Sequence, residues 1–444
     1  MKNNRKLSSC AIYISKLIAD ELSTLTRYYD CVIQWRPRKE DSGAILDLLQ
    51  TPQKSVVTEK EIFPNLSSER ERRTAILLNG VLNHHDDIDG LMSQLKPLLS
   101  RTSRVILVMY NPYLAWLYSL ANLLGLRKGP VPTTFVTRVD LGNIVKLTGF
   151  NIVRTRMVAY IPWHLFGIGD FLNHALTSIP ILRWFSFTYI AVLQPVIPET
   201  NNNPSLSCII PARNERGNIA NVLNRIPDLP CSLEIIFVEG NSDDGTWDEI
   251  QRVIPKYQHK FDIKIYQQTG FGKCDAVRLG FAKAKGELLT VLDADLTMSP
   301  EYLGRFYSAY CNGHADFING SRLVYPMEGQ AMRFLNRLAN IFFARALGWV
   351  LDSRLGDSLC GTKLLARHDY QRMISWREDF GDFDPFGDFE LLFPAALLGL
   401  GIVDIPIRYR SRTYGSTNIN RFRDGLILLK MMVLGYKRIK LNLN

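Results

Sequence analysis

The sequence predicts an α/β protein of two domains, and three observations carry that reading. The chain has 444 residues, more than one ordinary domain needs. Strand-like apolar runs alternate with helix-like segments along most of its length. The alternation is broken at Ile197-Pro198-Glu199-Thr200-Asn201-Asn202-Asn203-Pro204, where two prolines and three asparagines leave no apolar periodicity. A first domain at residues 1–197, a linker at 198–204 and a second domain at 205–444 follow.

In the first domain, residues 74–78 read as a strand, 88–99 as an amphipathic helix and 104–109 as another strand. Residues 140–147 form a helix that stops at Thr148-Gly149, and 150–154 a strand. In the second domain, strands are expected at 206–211, 233–238, 263–267 and 288–292. Helices are expected between them at 219–226, 246–257 and 273–284. Successive βα units of this kind build a largely parallel sheet with right-handed crossovers.

Composition narrows the functional classes. Hydrophobic residues make up 46% and charged residues 22%, enough apolar mass for two cores. The net charge of +10 favours an anionic partner, whether phosphorylated substrate, anionic lipid or nucleic acid. The seven cysteines are scattered without a CxxC pair, which argues against a disulfide framework or a zinc site and fits a reducing, cytoplasmic setting. No signal-type segment follows the basic start, and no transmembrane span is expected. Residues 105–126 carry no charge, but Asn111-Pro112 and Asn122 divide them into a strand and an apolar helix. Residues 157–182 are apolar but broken by Pro162, Asp170 and Pro180; they are expected to pack against their own domain, with a bilayer surface as the alternative.

The most informative tripeptide is Asp293-Ala294-Asp295, directly after the apolar run 288–292. Carboxyl ends of strands are where open α/β sheets bind ligands. Two carboxylates one residue apart repel unless a cation shares them, and a hard divalent ion completed by substrate phosphates meets that need. A helix cap plus a surface aspartate is the competing explanation. Upstream, Pro211-Ala212-Arg213-Asn214-Glu215 leads a polar turn into a helix, an anion or nucleotide seat. Glu239 ends the next strand, placed to accept hydrogen bonds from a ribose or base, with Asn241 beside it. Asp243 or Asp244 suits a cap for the helix at Thr246. Gly270-Phe271-Gly272-Lys273-Cys274-Asp275 resembles a phosphate loop without P-loop spacing, and Lys273 is a candidate diphosphate partner.

Taken in order, these motifs resemble family 2 glycosyltransferases of the GT-A fold, on the dolichol-phosphate mannosyltransferase-like branch. Asn319-Gly320-Ser321-Arg322, Asp357 to Lys363, Gly387-Asp388-Phe389-Glu390 and Arg410 to Asn418 extend the likeness over about residues 205–440. The resemblance implies an inverting hexosyl transfer in cell-envelope glycoconjugate synthesis. The donor is a nucleotide-sugar of the GDP-mannose or UDP-glucose type, and the acceptor a polyprenyl phosphate or a glycan. It implies donor contacts from Pro211, Arg213, Asn214, Glu215, Glu239, Asn241, Lys273, Asp275, Asp293 and Ala294. It places Mg²⁺ or Mn²⁺ on Asp293 and Asp295, and phosphate-facing charge on Arg322, Arg333 and Lys363. Arg412 joins the catalytic group, and Asp388 or Glu390 is the general base if the acceptor is a hydroxyl. A lipid phosphate needs no base, and the cluster Arg408, Arg410, Arg412, Arg421 and Arg423 suits one, or a peripheral membrane surface at the inner face of the membrane. That branch usually has Lys where Asn418 stands, so the acceptor is left open. Nucleic acid is not an expected partner, since a basic surface alone does not explain paired acids at strand ends.

Residues 74–194 resemble the second half of a class I S-adenosylmethionine-dependent methyltransferase, through residues 75–87, Met109-Tyr110-Asn111 and the stretch from Asp140 to Phe150. Such a domain would have a glycine-rich first turn. Between Met1 and Thr74 the only glycine is Gly43, so a truncated, partial Rossmann-like fold that does not bind S-adenosylmethionine is expected. His84-His85 is expected to be a polar helix-start feature and not a metal site.

Overall fold

In a computed structural model, residues 9–37, 44–69, 71–125, 130–201, 203–326, 334–375, 387–415 and 421–441 are described. The chain divides into two compact units. The first holds residues 1–197 with 397–399 and 436–444, and the second holds 198–396 and 400–435.

Among the described residues the first unit builds a six-stranded sheet. Its strands are β1 (Cys31–Trp35), β2 (Gln53–Val57), β3 (Thr74–Asn79), β4 (Arg104–Tyr110), β5 (Phe150–Val158) and β6 (Thr188–Pro195), in the order β2-β1-β3-β4-β6-β5. Strand β6 runs antiparallel to β4 and β5, and the other pairings are parallel. Alternate residues of β3 serve two cores: Ile76 and Leu78 pack on one face, Ala75 and Leu77 on the other. Helices α1 (Ser9–Thr26), α2 (Ala44–Leu48), α3 (Ile88–Leu95), α4 (Ala115–Leu123), α5 (Arg138–Leu147) and α6 (Ile168–Thr177) complete it. Helix α5 starts two residues before the expected position because Thr137 and Asp140 form a capping box. Strand β5 runs four residues further than expected, since Arg154 and Arg156, buried on it, find Glu21 of α1 at 3.6 and 2.8 Å. The expectation that residues 157–182 pack against their own domain holds only in part: Val158, Ala159, Tyr160 and Asn173 are buried, whereas Trp163 and Phe171 stand exposed.

The second unit is a seven-stranded sheet among the described residues. Its strands are β7 (Leu206–Ala212), β8 (Leu233–Glu239), β9 (Asp262–Gln267), β10 (Leu288–Val291), β11 (Phe317–Ser321), β12 (Lys363–Ala366) and β13 (Ile402–Pro406), ordered β13-β11-β12-β10-β7-β8-β9. Helices α7 (Ile219–Arg225), α8 (Thr246–Tyr257), α9 (Gly272–Lys283) and α10 (Leu303–Cys311) follow β7 to β10 in turn. Further along come α11 (Phe334–Leu351), α12 (Arg367–Met373), α13 (Asp388–Leu397) and α14 (Arg421–Gly435). Strand β12 is antiparallel to both β10 and β11, so the start of β12 lies at the end of the sheet where β7, β8 and β10 finish. That end is where the chemistry of the sequence collects. No described helix is long and apolar enough to cross a membrane.

Candidate active site

The central strands deliver the site by their lengths. Strand β10 stops at Val291, and Leu292 still donates to Ile209 O at 2.9 Å, which fixes the exit of Asp293-Ala294-Asp295. Ala294 is buried in the core, so it turns its two neighbours the other way. Leu296 takes φ 57°, an uncommon conformation for a branched residue, and Thr297 holds Asp295 Oδ1 through its backbone N–H (3.0 Å) and hydroxyl (2.8 Å).

Each acid here already has a cation. Lys273, from the start of α9, pairs with Asp293. Arg412 reaches Asp295 Oδ2 at 2.7 Å and Glu215 Oε1 at 3.2 Å. Lys363, at the start of β12, pairs with Asp388 and donates to Cys360 O. A side chain at Gly361 would collide with Lys273 Nζ and lie 3.0 Å from Asp293 Oδ1, so glycine there leaves room for that pair.

The ionisation behaviour follows. Burial works against the charge on Asp293, but Lys273, Lys363 and Arg412 outweigh it and lower its pKa. Burial likewise opposes the charge on Lys273, yet Asp293, Asp388 and Asp295 raise its pKa. Glu215 differs: burial, with Asp295 and Asp293 nearby, pushes it up to about 7 despite the Asn218 amide and Arg412.

The nucleotide-side loops are tied to one another. Asn214 donates its N–H to Ser242 Oγ (2.9 Å) and accepts from Asp243 N (3.0 Å), and Glu215 N donates to Thr246 Oγ1 (2.9 Å). Asn214 and Asn241 both sit at φ 56°, the left-handed region asparagine tolerates best after glycine. Glu239 is buried and accepts from Ser242 N at 2.6 Å. Asp244 accepts from Thr246 N (3.0 Å), Arg216 N (3.1 Å) and Tyr414 OH (3.2 Å), joining two turns to the segment that carries Arg412.

The remaining expected residues are placed as follows. Pro211 lies in β7 and Arg213 is exposed just past its end. Asp275 accepts from Phe271 N at 2.8 Å, bracing the glycine loop. Arg322 is held by Asp357 (Nε–Oδ2 2.7 Å, Nη2–Oδ1 2.9 Å). Burial opposes both charges there, but each partner stabilises the other: the Asp357 pKa is lowered and the Arg322 pKa raised. Glu390 accepts from Arg278 Nη2 (2.6 Å) and the Cys274 thiol (2.8 Å). Neither carboxylate considered as a base stands unpaired. Arg333 and Asn418 lie outside the described residues. Sequence reasoning assigned no role to Arg278, Asp404 or Thr246. Their signal is spatial, since Arg278 meets an acid 112 residues away and Asp404 meets Asn319 at 2.7 Å across 85 residues.

The family described as "Glycosyl transferase family 2" matches residues 207–373. A dolichyl-phosphate hexose transferase of Haloferax volcanii is 30% identical over 234 residues, covering 51% of this chain and 92% of the relative. The chain belongs to the family 2 glycosyltransferases. A dolichol-phosphate mannosyltransferase of Pyrococcus furiosus is 37% identical over 223 residues, 48% of this chain and 59% of that protein. A crystal structure of Mycobacterium tuberculosis glucosyl-3-phosphoglycerate synthase overlays at TM-score 0.38 and 16% identity, over 54% of this chain and 81% of that one, too loosely to argue from. The family match at residues 207–373 falls within the second unit of this glycosyltransferase.

Proposed function

We propose that this glycosyltransferase moves a hexosyl group, with inversion, from a nucleotide-sugar to a polyprenyl phosphate. One observation carries the choice of acceptor: both acids considered as a base are cation-paired, Asp388 with Lys363 and Glu390 with Arg278. Such a site is poor in free base and rich in positive charge. A phosphate oxygen attacks the anomeric carbon without losing a proton, as the bond from that carbon to the donor diphosphate breaks. The names of the relatives from H. volcanii and P. furiosus point the same way.

Asp293 and Asp295 suit Mg²⁺ or Mn²⁺. They offer hard oxygen donors one residue apart, and glycine at 361 sets no side chain against the Asp293 carboxylate. Among the described residues no set of three or more His, Cys, Asp or Glu side chains converges to hold a metal, so donor phosphates would supply the remaining ligands. Bound there, the ion would neutralise charge gathering on the departing nucleoside diphosphate. Lys273 and Arg412, now on the carboxylates, become partners for diphosphate oxygens, with arginine favouring two-pronged contact. Glu239 and the Asn214–Ser242 turn hold the nucleoside.

The first unit is, in this reading, a methyltransferase-like sheet without a working cofactor loop. In support, β1 runs from Trp35 into Arg36 and Pro37, where a glycine-rich turn would be needed.

The test is a panel of GDP-, UDP- and dTDP-sugars with Mn²⁺, with and without polyprenyl phosphate, following product into the lipid phase. Lipid-phase product that survives Asp388→Asn and Glu390→Gln within about tenfold is expected. Transfer only to a glycan hydroxyl, lost about 10²-fold or more in Asp388→Asn, would overturn the acceptor and make Asp388 the base.

A further inference from the structure

In the first unit, β4 and β5 end where β6 begins: Tyr110 and Val158 both pair with Thr188. The connections 111–124 and 159–187 therefore leave the sheet at one place. They are stitched together there. Asn111 Nδ2 donates to Trp184 O (3.0 Å) and Ser186 O (2.7 Å), and Phe187 N donates to Ala159 O (2.6 Å). Tyr113 and Trp184 rings lie 6.1 Å apart.

Their outward residues are large and apolar. Trp116, Leu123, Trp163, Phe166, Phe171 and Trp184 are each more than half exposed, and Phe166 is fully so at 105%. Isolated exposed hydrophobics are ordinary, but a set of this size gathered at one end of a domain marks an interaction surface. Phe166 is also held out against local preference: Leu165 and Phe166 take φ 44° and 56°, followed by Gly167 at 94°. Two bulky non-glycine residues in the left-handed region cost energy, and here the strain presents an aromatic ring to water.

Charge selects the partner. Residues 111–126 contain no charged side chain, and Asp170 is the one acid in 159–187. Its carboxylate is taken up by His164 (2.9 Å) and Tyr13 (2.7 Å). Arg183 lies within the second connection, and Arg127-Lys128 follow the first in sequence. Tryptophan and tyrosine favour the headgroup level of a bilayer, with Phe and Leu entering below it and basic residues meeting anionic headgroups. A second copy of the chain would bring the same excess of basic over acidic residues in these segments, which argues against self-pairing.

We infer that this end of the first unit docks on the surface of a bilayer containing anionic lipid. The inference deepens the reading of a membrane-borne acceptor and rests on it for the expectation that the enzyme works at a bilayer. The full chain is mixed with vesicles of phosphatidylcholine alone, or with phosphatidylglycerol added, all without polyprenyl phosphate. Co-sedimentation and tryptophan emission are read. Binding to the phosphatidylglycerol vesicles with a blue shift is expected, weaker on phosphatidylcholine. Phe166→Ser and Leu123→Ser should each weaken partitioning about tenfold, with the melting temperature unchanged. No vesicle binding, or binding that both variants retain, overturns the inference. Self-association abolished by Phe166→Ser, without vesicle binding, also overturns it and assigns the face to a second copy. Because the vesicles lack polyprenyl phosphate, failure here leaves the acceptor assignment standing, and failure of the donor panel leaves this result standing.

Discussion

The two units use the same architecture to opposite ends. Each has a mainly parallel sheet with one strand antiparallel to both its neighbours: β6 between β4 and β5, and β12 between β10 and β11. In the second unit the strand ends carry Glu239, Asp293, Asp295 and Lys363, paired with side chains of opposite charge or turn amides. In the first, β3 and β4 end in Asn79 and Tyr110, and Asn111 spends its amide on backbone carbonyls. The arginines differ likewise. Arg104 of the first unit is buried and donates to the carbonyls of Arg101 and Ser103 at 3.0 and 2.7 Å, whereas Arg412 sits on carboxylates that an ionic ligand can compete for. A fold supplies a place for a site, and only the side chains there decide whether chemistry occurs.

The largest expected effect would break this contrast outright. Asp295→Asn should cut sugar transfer about 10²–10³-fold while leaving the melting temperature near the parent value. Retained transfer would remove the paired acids from the chemistry. Next, Asp357→Ala leaves the Arg322 guanidinium buried without its carboxylate, at a cost of about 3–5 kcal/mol in denaturant unfolding. A loss under about 1 kcal/mol would show that this pair behaves as a surface contact.

The smallest effect is a slope. Burial lifts the Glu215 pKa to about 7 from an ordinary 4.5. Between those values the folded protein keeps a proton that the unfolded chain has released, so the unfolded state binds fewer protons. Stability then falls as pH rises from about 4.5 towards 7, and Glu215→Gln should flatten that part of the melting profile. An unchanged profile would show that Arg412 alone holds Glu215 ionised.

Much of the second unit was legible in the chain. Apolar runs with βα alternation placed β7, β8 and β10 to within a residue or two, because both faces of a central parallel strand are buried and its sequence shows it. Local motifs also gave the acids at the strand ends, which depend on near neighbours in sequence; the cap expected from Asp243 or Asp244 is instead Gly245, with Asp244 accepting from Thr246 N. The first unit was less readable before residue 74: β1 is a buried five-residue strand, while β2 exposes most of its residues and carries weak alternation.

The sequence by itself determined that two α/β units are present and that acids stand at the ends of strands in one of them, for these are properties of runs and spacings. Only the tertiary structure decided which cation each acid meets. The partners Lys273 and Arg278 come from α9, Lys363 from β12 and Arg412 from the segment after β13, each far in sequence from the acid it meets or set beside it by strand order. It also decided that Trp163, Phe166, Phe171 and Trp184 face outward. An apolar run specifies that burial is favourable, but whether its own domain provides that burial depends on how much of each helix the sheet can cover.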